Sequence, residues 1–382
     1  MAVFLFSLAA TAGEGKSQTL PPRDVASKAN LVPPTGAPGV WENVTSPAMP
    51  EAAFTGPDGF GVGNIVVDPV RPSDLYVGGY GAIWKSTDFG ITWTKLASRP
   101  NPPYLPLGHV LAVAGTSPPT LWMANGYGDR KVFKSNDGGL TFRLTGTLPE
   151  KFDQSFYSIV VDPYDPTHLI TGFHEVDRLA ESTDGGETWQ FVSGGDWPKG
   201  GKSWFAFFVD TGDAATTRKS WFAIAQDGGS AVMTRDGGAN WTIPKGIEGL
   251  THPHGNSQLY QMGQTLFIAG SGSTAGSGIF RSTDFGMNWT RVTDGNAAIV
   301  WGSAKTVYAM WGWACASCGV NEGGPQWQSA PQPGDIDTWT KRSNPTPGPS
   351  WGPNSVAVTK DGTHTIFVGS MWSKGLWRYV EP

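Results

Sequence analysis

Short apolar runs broken by turn residues dominate the chain. Between Asn64 and Leu96 four such runs follow one another: Asn64–Asp68, Leu75–Gly79, Ala82–Ser86 and Thr92–Leu96. Each has Gly, Pro, Asp or Ser within two residues of either end, which is the pattern of strands joined by tight turns. The turn between the third and fourth runs then comes back along the chain. Ser86-Thr87-Asp88-Phe89-Gly90-Ile91-Thr92-Trp93 has counterparts at Ser135–Phe142, Ser182–Trp189, Thr234–Trp241 and Ser282–Trp289. In each copy the hydroxyl and the carboxylate can bond nearby backbone N–H groups. The glycine supplies a left-handed conformation, and the aromatic residue anchors the next strand.

The aromatic residues form a ruler. Trp41, Trp93, Phe142, Trp189, Trp241, Trp289 and Trp339 are separated by 52, 49, 47, 52, 48 and 50 residues. A period of about fifty residues holding several short strands predicts an all-β fold, a β-propeller. The seven marks predict seven four-stranded blades, with the recurring octet as the turn between the third and outermost strands. The last period supplies only Ser355–Thr359, Thr365–Ser370 and Leu376–Val380, while the chain carries an orphan strand at Trp41–Thr45. That N-terminal strand is expected to complete the last blade and leave no open edge. Blade six departs from the pattern, with Ser329–Gly334 where the octet should be and a long preceding loop.

The octets resemble the Asp-box (S-x-D-x-G-x-T-W) of sialidases, xyloglucanases and sortilin-type receptors, and the resemblance covers Trp41 to Pro382. In that superfamily the box is a structural turn remote from the active site, so the box aspartates are set aside as catalysts. A sialidase would need an Arg-Ile-Pro type segment before the first box, where this chain has Asn64-Ile65-Val66-Val67-Asp68-Pro69. Xyloglucanases resemble two propellers in tandem with a cleft between them, and this chain has one. A sortilin-type receptor would add a cysteine-rich module and a membrane span.

Composition narrows the partners. The net charge of −5 over 382 residues gives no basic footprint for nucleic acid or an anionic membrane surface, and no run is long enough to span a bilayer. Residues 1–12 read as a signal peptide ending in Ala10-Thr11-Ala12, 13–39 as a Pro-rich linker and 40–382 as the propeller. A secreted or periplasmic monomer is expected. The two cysteines, Cys315 and Cys318, are too few for a four-ligand zinc site; a small-loop disulfide competes with two free thiols.

Chemistry is expected on the face opposite the Asp-boxes. His168 and His364 fall in turns on the box face and are expected to be exposed and bland. His109, His174, His252 and His254 fall on the other face, where the chain nears the axis, and convergence of titratable groups there is the default active-site hypothesis. Asn64, Tyr157, Arg178, Lys202, Trp204, Asn256, Trp351, Asn354 and Trp372 join them. The aromatic rings there could stack on sugars, although core packing explains Trp204 equally well. Arg178 and Lys202 could clamp a carboxylate. The carboxylates of that face are Asp129, Asp153, Glu175, Asp177, Asp196 and Asp227, and no pair is picked out by spacing.

These residue types also resemble single seven-bladed polysaccharide lyases acting on uronate-containing glycans. β-Elimination needs a neutralised carboxylate, a base and an acid for the leaving oxygen. On this reading His109, Tyr157, His174 and His254 are catalytic, with His254 or His109 as base and Tyr157 as acid. Asn64, Arg178, Lys202, His252, Asn256, Trp351, Asn354 and Trp372 bind the poly- or oligosaccharide. A hydrolase using Asp129, Glu175 or Asp177 and a non-catalytic glycan- or protein-binding propeller are the alternatives. No transition-metal site is expected, since Pro253 interrupts His252 and His254; a structural Ca²⁺ on backbone carbonyls would leave no mark in sequence.

Overall fold

The computed structural model describes residues 37–49, 64–79, 82–96, 109–125, 131–145, 148, 155–192, 196–252, 257–295, 299–311, 314–315, 320–321, 326–342, 352–371 and 375–382. The expected signal peptide and most of the linker lie outside them.

Strands pair antiparallel with their sequence neighbours, innermost first, and the pattern recurs seven times. Blade one is Ile65–Val67, Leu75–Gly79, Ala82–Ser86 and Thr94–Lys95. Blade three is Phe156–Asp162, Asp165–Phe173, Leu179–Ser182 and Gln190–Val192. Blade four is Lys202–Phe208, Trp221–Asp227 and Val232–Thr234. Its outermost strand shrinks to a single bridge between Met233 and Thr242. Pro244 stands two residues on from Thr242 and has no N–H to continue a ladder, which explains the loss.

The expected closure is present. Trp41–Asn43 pairs with Gly375–Val380 in the register Trp41 to Tyr379, Glu42 to Arg378 and Asn43 to Trp377. The Gly39 N–H adds a bond to the Val380 carbonyl at 2.9 Å and the Val44 N–H one to Leu376 at 2.9 Å. The first described strand and the last therefore share one sheet, with Trp41–Asn43 as its outermost strand.

Period-2 alternation along each strand sends successive side chains to opposite neighbouring blades. Leu75 and Val77 pack toward Ile366 and Val368 of blade seven, whereas Tyr76 packs toward Leu111 and Met123 of blade two. Seven apolar clusters result, one at each seam between blades. The ruler aromatics lie in these seams, each against the preceding blade, as Trp189 does with Trp122 and Ala124.

The Asp-boxes follow one bonding scheme. In the first, the Ser86 hydroxyl donates to Asp88 Oδ1 at 2.7 Å and accepts the Gly90 N–H at 2.9 Å. Asp88 then accepts the Thr92 N–H at 2.9 Å and the Thr92 hydroxyl at 2.5 Å. The four other boxes repeat these bonds, with Asn240 and Asn288 donating through their side-chain amides where the others use threonine. Burial pushes the Asp88 carboxyl up, but the bonds from Thr92 and Ser86 outweigh it and hold the group below the usual range. In blade six a 3₁₀ turn at Ile336–Thr338 replaces the box, and the Trp339 indole donates to the Gly334 carbonyl at 3.2 Å.

His168 corrects the expectation of an exposed turn. The second strand of blade three begins already at Asp165, so His168 lies inside it and turns into the seam with blade four. It is fully buried between the rings of Phe208 and Trp221. Nδ1 meets Asp162 at 2.8 Å and Nε2 meets Glu181 at 2.8 Å. Burial alone would lower its pKa; the two carboxylates outweigh burial and raise it. His364 keeps its turn role, half-buried beside Asp361.

Candidate functional site

The face opposite the boxes carries the loops after each second strand and the connections into each inner strand. At blades three and four these bring several of the expected residues together. The segment His174–Arg178 follows the second strand of blade three. Lys202 opens the inner strand of blade four, and its ladder partner is Asp227, the last residue of the second strand. His252 arrives from the connection to blade five, tied by its N–H to the Ala225 carbonyl at 3.0 Å.

Beneath this rim lies an aromatic cluster. The buried Tyr157 ring is 4.6 Å from Phe205, 5.1 Å from His174 and 6.1 Å from His252, and Phe205 lies 4.8 Å from His252 edge to face. The Tyr157 hydroxyl donates to Gln226 Oε1 at 3.0 Å, and the Gln226 amide donates to Asp227 Oδ2 at 3.0 Å. A relay thus runs from the axis to an exposed carboxylate.

Glu175 and Ser203 have φ of 57° each. Among the described residues, the other two non-glycine residues in the left-handed region are Phe89 and Phe285, inside Asp-boxes. A left-handed L-residue costs about 1–3 kcal/mol and persists only where its surroundings enforce it. Here the two strained residues touch: the Glu175 N–H donates to the Ser203 hydroxyl at 2.9 Å, and the Ser203 carbonyl lies 2.9 Å from His252 Nε2. The Glu175 side chain is exposed at the rim.

The remaining expected residues divide. Asp177 is occupied, accepting the Trp197 indole at 2.8 Å, the Trp204 indole at 3.3 Å and the Gly200 N–H at 2.9 Å. Trp204 is fully buried in the seam between blades three and four, a core residue rather than a sugar platform. Arg178 lies 4.9 Å over the Phe191 ring, and Lys202 and Asp196 are exposed. Asn64 is spent on the frame: its amide donates to the Leu111 carbonyl at 2.6 Å and accepts the Leu111 N–H at 2.7 Å, joining blades one and two. Gln258, which the sequence did not single out, clasps Val356 the same way at 3.1 and 3.2 Å, and Gln261 clasps Asp210. His109 opens the inner strand of blade two opposite Asn125. His254, Asn256, Trp351, Trp372, Asp129, Asp153 and Cys318 lie outside the described residues. Cys315 pairs with Val320 in a two-residue ladder.

An axial cavity of about 200 Å³ adjoins the cluster, bordered by Tyr157, Ser158, Phe205, Gln258, Asn354 and Ser355. Its described lining carries no charged side chain. Among the described residues no group of three or more His, Cys, Asp or Glu is placed to hold a metal, and no helix is long and apolar enough to cross a membrane.

Ring, boxes and closure define an Asp-box β-propeller of seven blades. The BNR-Asp box repeat family matches at residues 83–96 and 279–292. The xyloglucanase Xgh74A of Acetivibrio thermocellus is 31% identical over a stretch covering 37% of this chain and 20% of its own length, so the chain matches only about a fifth of that relative. The GH74 xyloglucanase of Xanthomonas campestris superposes with a TM-score of 0.61 at 17% identity, over 88% of this chain and 53% of its own. YCF48 from Cyanidioschyzon merolae superposes with a TM-score of 0.54 at 14% identity, over 89% and 98%. The structural likenesses show the fold.

Proposed function

We propose that this propeller is a glycoside hydrolase acting on a polysaccharide, with Glu175 and Asp227 as its carboxylate pair. The observation that carries the reading is the strained Glu175–Ser203 contact, which fixes the backbone bearing the exposed Glu175 side chain, on the same rim as Asp227. Hydrolysis of a glycosidic bond needs two carboxyl groups, one to protonate the leaving oxygen and one to act as nucleophile or to activate water. The partial identity to a xyloglucanase supports a β-glucan backbone as the substrate class. The lyase reading loses its acid, because Tyr157 is buried with its hydroxyl committed to Gln226. Binding without turnover is the second reading, favoured by the axial cavity, whose described lining is uncharged. Export belongs to the same proposal. N-terminal sequencing of the mature protein tests it, and a chain that still begins at Met1 would refute it.

The test is incubation with xyloglucan, other β-glucans and uronate-containing polysaccharides, reading reducing ends and ultraviolet absorbance in parallel. Reducing ends without absorbance are expected. Absorbance rising together with reducing ends would mean elimination and restore the lyase. Silence in both channels with retained binding would make the protein a glycan binder.

A further inference from the structure

We infer that His252 is a positioning residue, which sets the Glu175 carboxylate through Ser203; the inference rests on Glu175 being catalytic. The Ser203 carbonyl can only accept, so the His252 Nε2 at 2.9 Å carries the proton and donates it. The imidazole is buried, with the Phe205 ring edge-on at 4.8 Å and the Tyr157 ring at 6.1 Å, so it has little room to rotate. Its own backbone is pinned to Ala225, two residues before Asp227. Ser203 is thereby gripped from the blade-five side by its carbonyl, while its hydroxyl reaches blade three and takes the Glu175 N–H. Both ends of that last bond sit in the left-handed region. A serine and a glutamate hold such a backbone only if something outside the local chain enforces it, and this hydrogen-bonded path from His252 supplies the enforcement.

The path explains why an imidazole sits where an apolar side chain would otherwise complete the cluster of Tyr157 and Phe205. It also assigns His252 no contact with the glycan. Supporting groups of this kind change rates by about 10- to 100-fold when removed, through misplacement of the group they hold.

Three variants test the proposal: His252→Leu removes the donor, His252→Gln keeps an N–H that can reach the carbonyl, and Ser203→Ala removes the hydroxyl. Two readouts are taken on each: exchange of the Glu175 amide hydrogen, and kcat and KM on the best β-glucan. His252→Leu and Ser203→Ala are expected to speed Glu175 exchange about 10-fold or more while amides of the blade-three strands keep their protection. Both should lower kcat about 10- to 100-fold with KM within about twofold, and His252→Gln should recover most of each effect. Unchanged Glu175 exchange in His252→Leu, or exchange that rises equally across the whole of blade three, overturns the proposal. Faster Glu175 exchange in a protein that hydrolyses no glycan would keep the positioning role and overturn the hydrolase reading.

Discussion

The Asp-box face and the rim of blades three and four are built from the same residue types under opposite rules. On the box face each Ser or Thr, Asp and Gly does one job, repeated five times, and every left-handed position that can be glycine is glycine except Phe89 and Phe285. At the rim nothing repeats. A serine and a glutamate take the left-handed backbone, a carboxylate is absorbed by two indoles, and a histidine serves a carbonyl. Local chemistry suffices on the first face, whereas the second exists only because three blades meet there. Changes on the box face should therefore cost stability, and changes at the rim should cost chemistry.

Glu175→Gln separates the two most widely. It leaves the N–H that bonds Ser203 intact and removes only the carboxylate, so hydrolysis should fall about 10²- to 10⁴-fold. The unfolding free energy should stay within about 0.5 kcal/mol. Steady-state rates beside a denaturant titration check both, and a loss of stability matching the loss of rate would erase the contrast.

Gly172→Ala probes the joint itself. Gly172 lies in the second strand of blade three against blade four, and a Cβ there would run into the Trp204 carbonyl. Backbone on both sides leaves no rotamer to relieve the overlap. We expect a loss of ~3 kcal/mol and, because Trp204 leads from Ser203, a fall in activity even among folded molecules. An unperturbed melting curve would mean the seam is looser than its contacts imply.

Asp184→Ala on the box face should cost about 1–2 kcal/mol, since it removes acceptors for the Thr188 N–H, the Thr188 hydroxyl and the Ser182 hydroxyl. The rate per folded molecule should not change. The same substitution at Asp137 should cost a similar amount, because the scheme is the same. Unequal costs in a thermal scan would show that the boxes are not independent repeats.

Legibility in the sequence followed the same division. The blade count, the boxes and the closing strand at Trp41 could be read because each repeats a local pattern or completes one. The shrunken outer strand of blade four was not read, because the repeat alone called for four strands in every blade. The site was harder, since its determinants are contacts between blades. Tyr157, His174, Glu175, Lys202 and His252 were assigned to one face from strand order alone, and the structure gathers them at blades three and four. Nothing local marked Ser203 as left-handed, Asn64 and Gln258 as clasps for another blade's backbone, or Asp177 as the acceptor for two indoles. Those roles depend on which backbone of another strand or loop lies within reach.

His168 shows the same dependence at the smallest scale. Its strand begins three residues before it, and that shift carries the imidazole from solvent into a seam between two carboxylates. Asp162 and Glu181 face it directly, and Arg218 of blade four opposes them weakly. The folded state raises the pKa above the free value of about 6.5, so the folded protein binds this proton more tightly than the unfolded chain. The stabilisation is then complete below about pH 6.5 and is lost as pH rises through the raised folded value, with a slope of at most about 1.4 kcal/mol per pH unit for one proton. The box aspartates work in the opposite direction. Their folded pKa values are lowered, so their contribution is present above about pH 4 and lost as pH falls below it. Stability measured by denaturant should therefore peak on the acid side of neutrality, and His168→Gln should flatten only the alkaline limb. If that limb keeps its slope in the variant, another group supplies it and the buried imidazole is a packing residue alone.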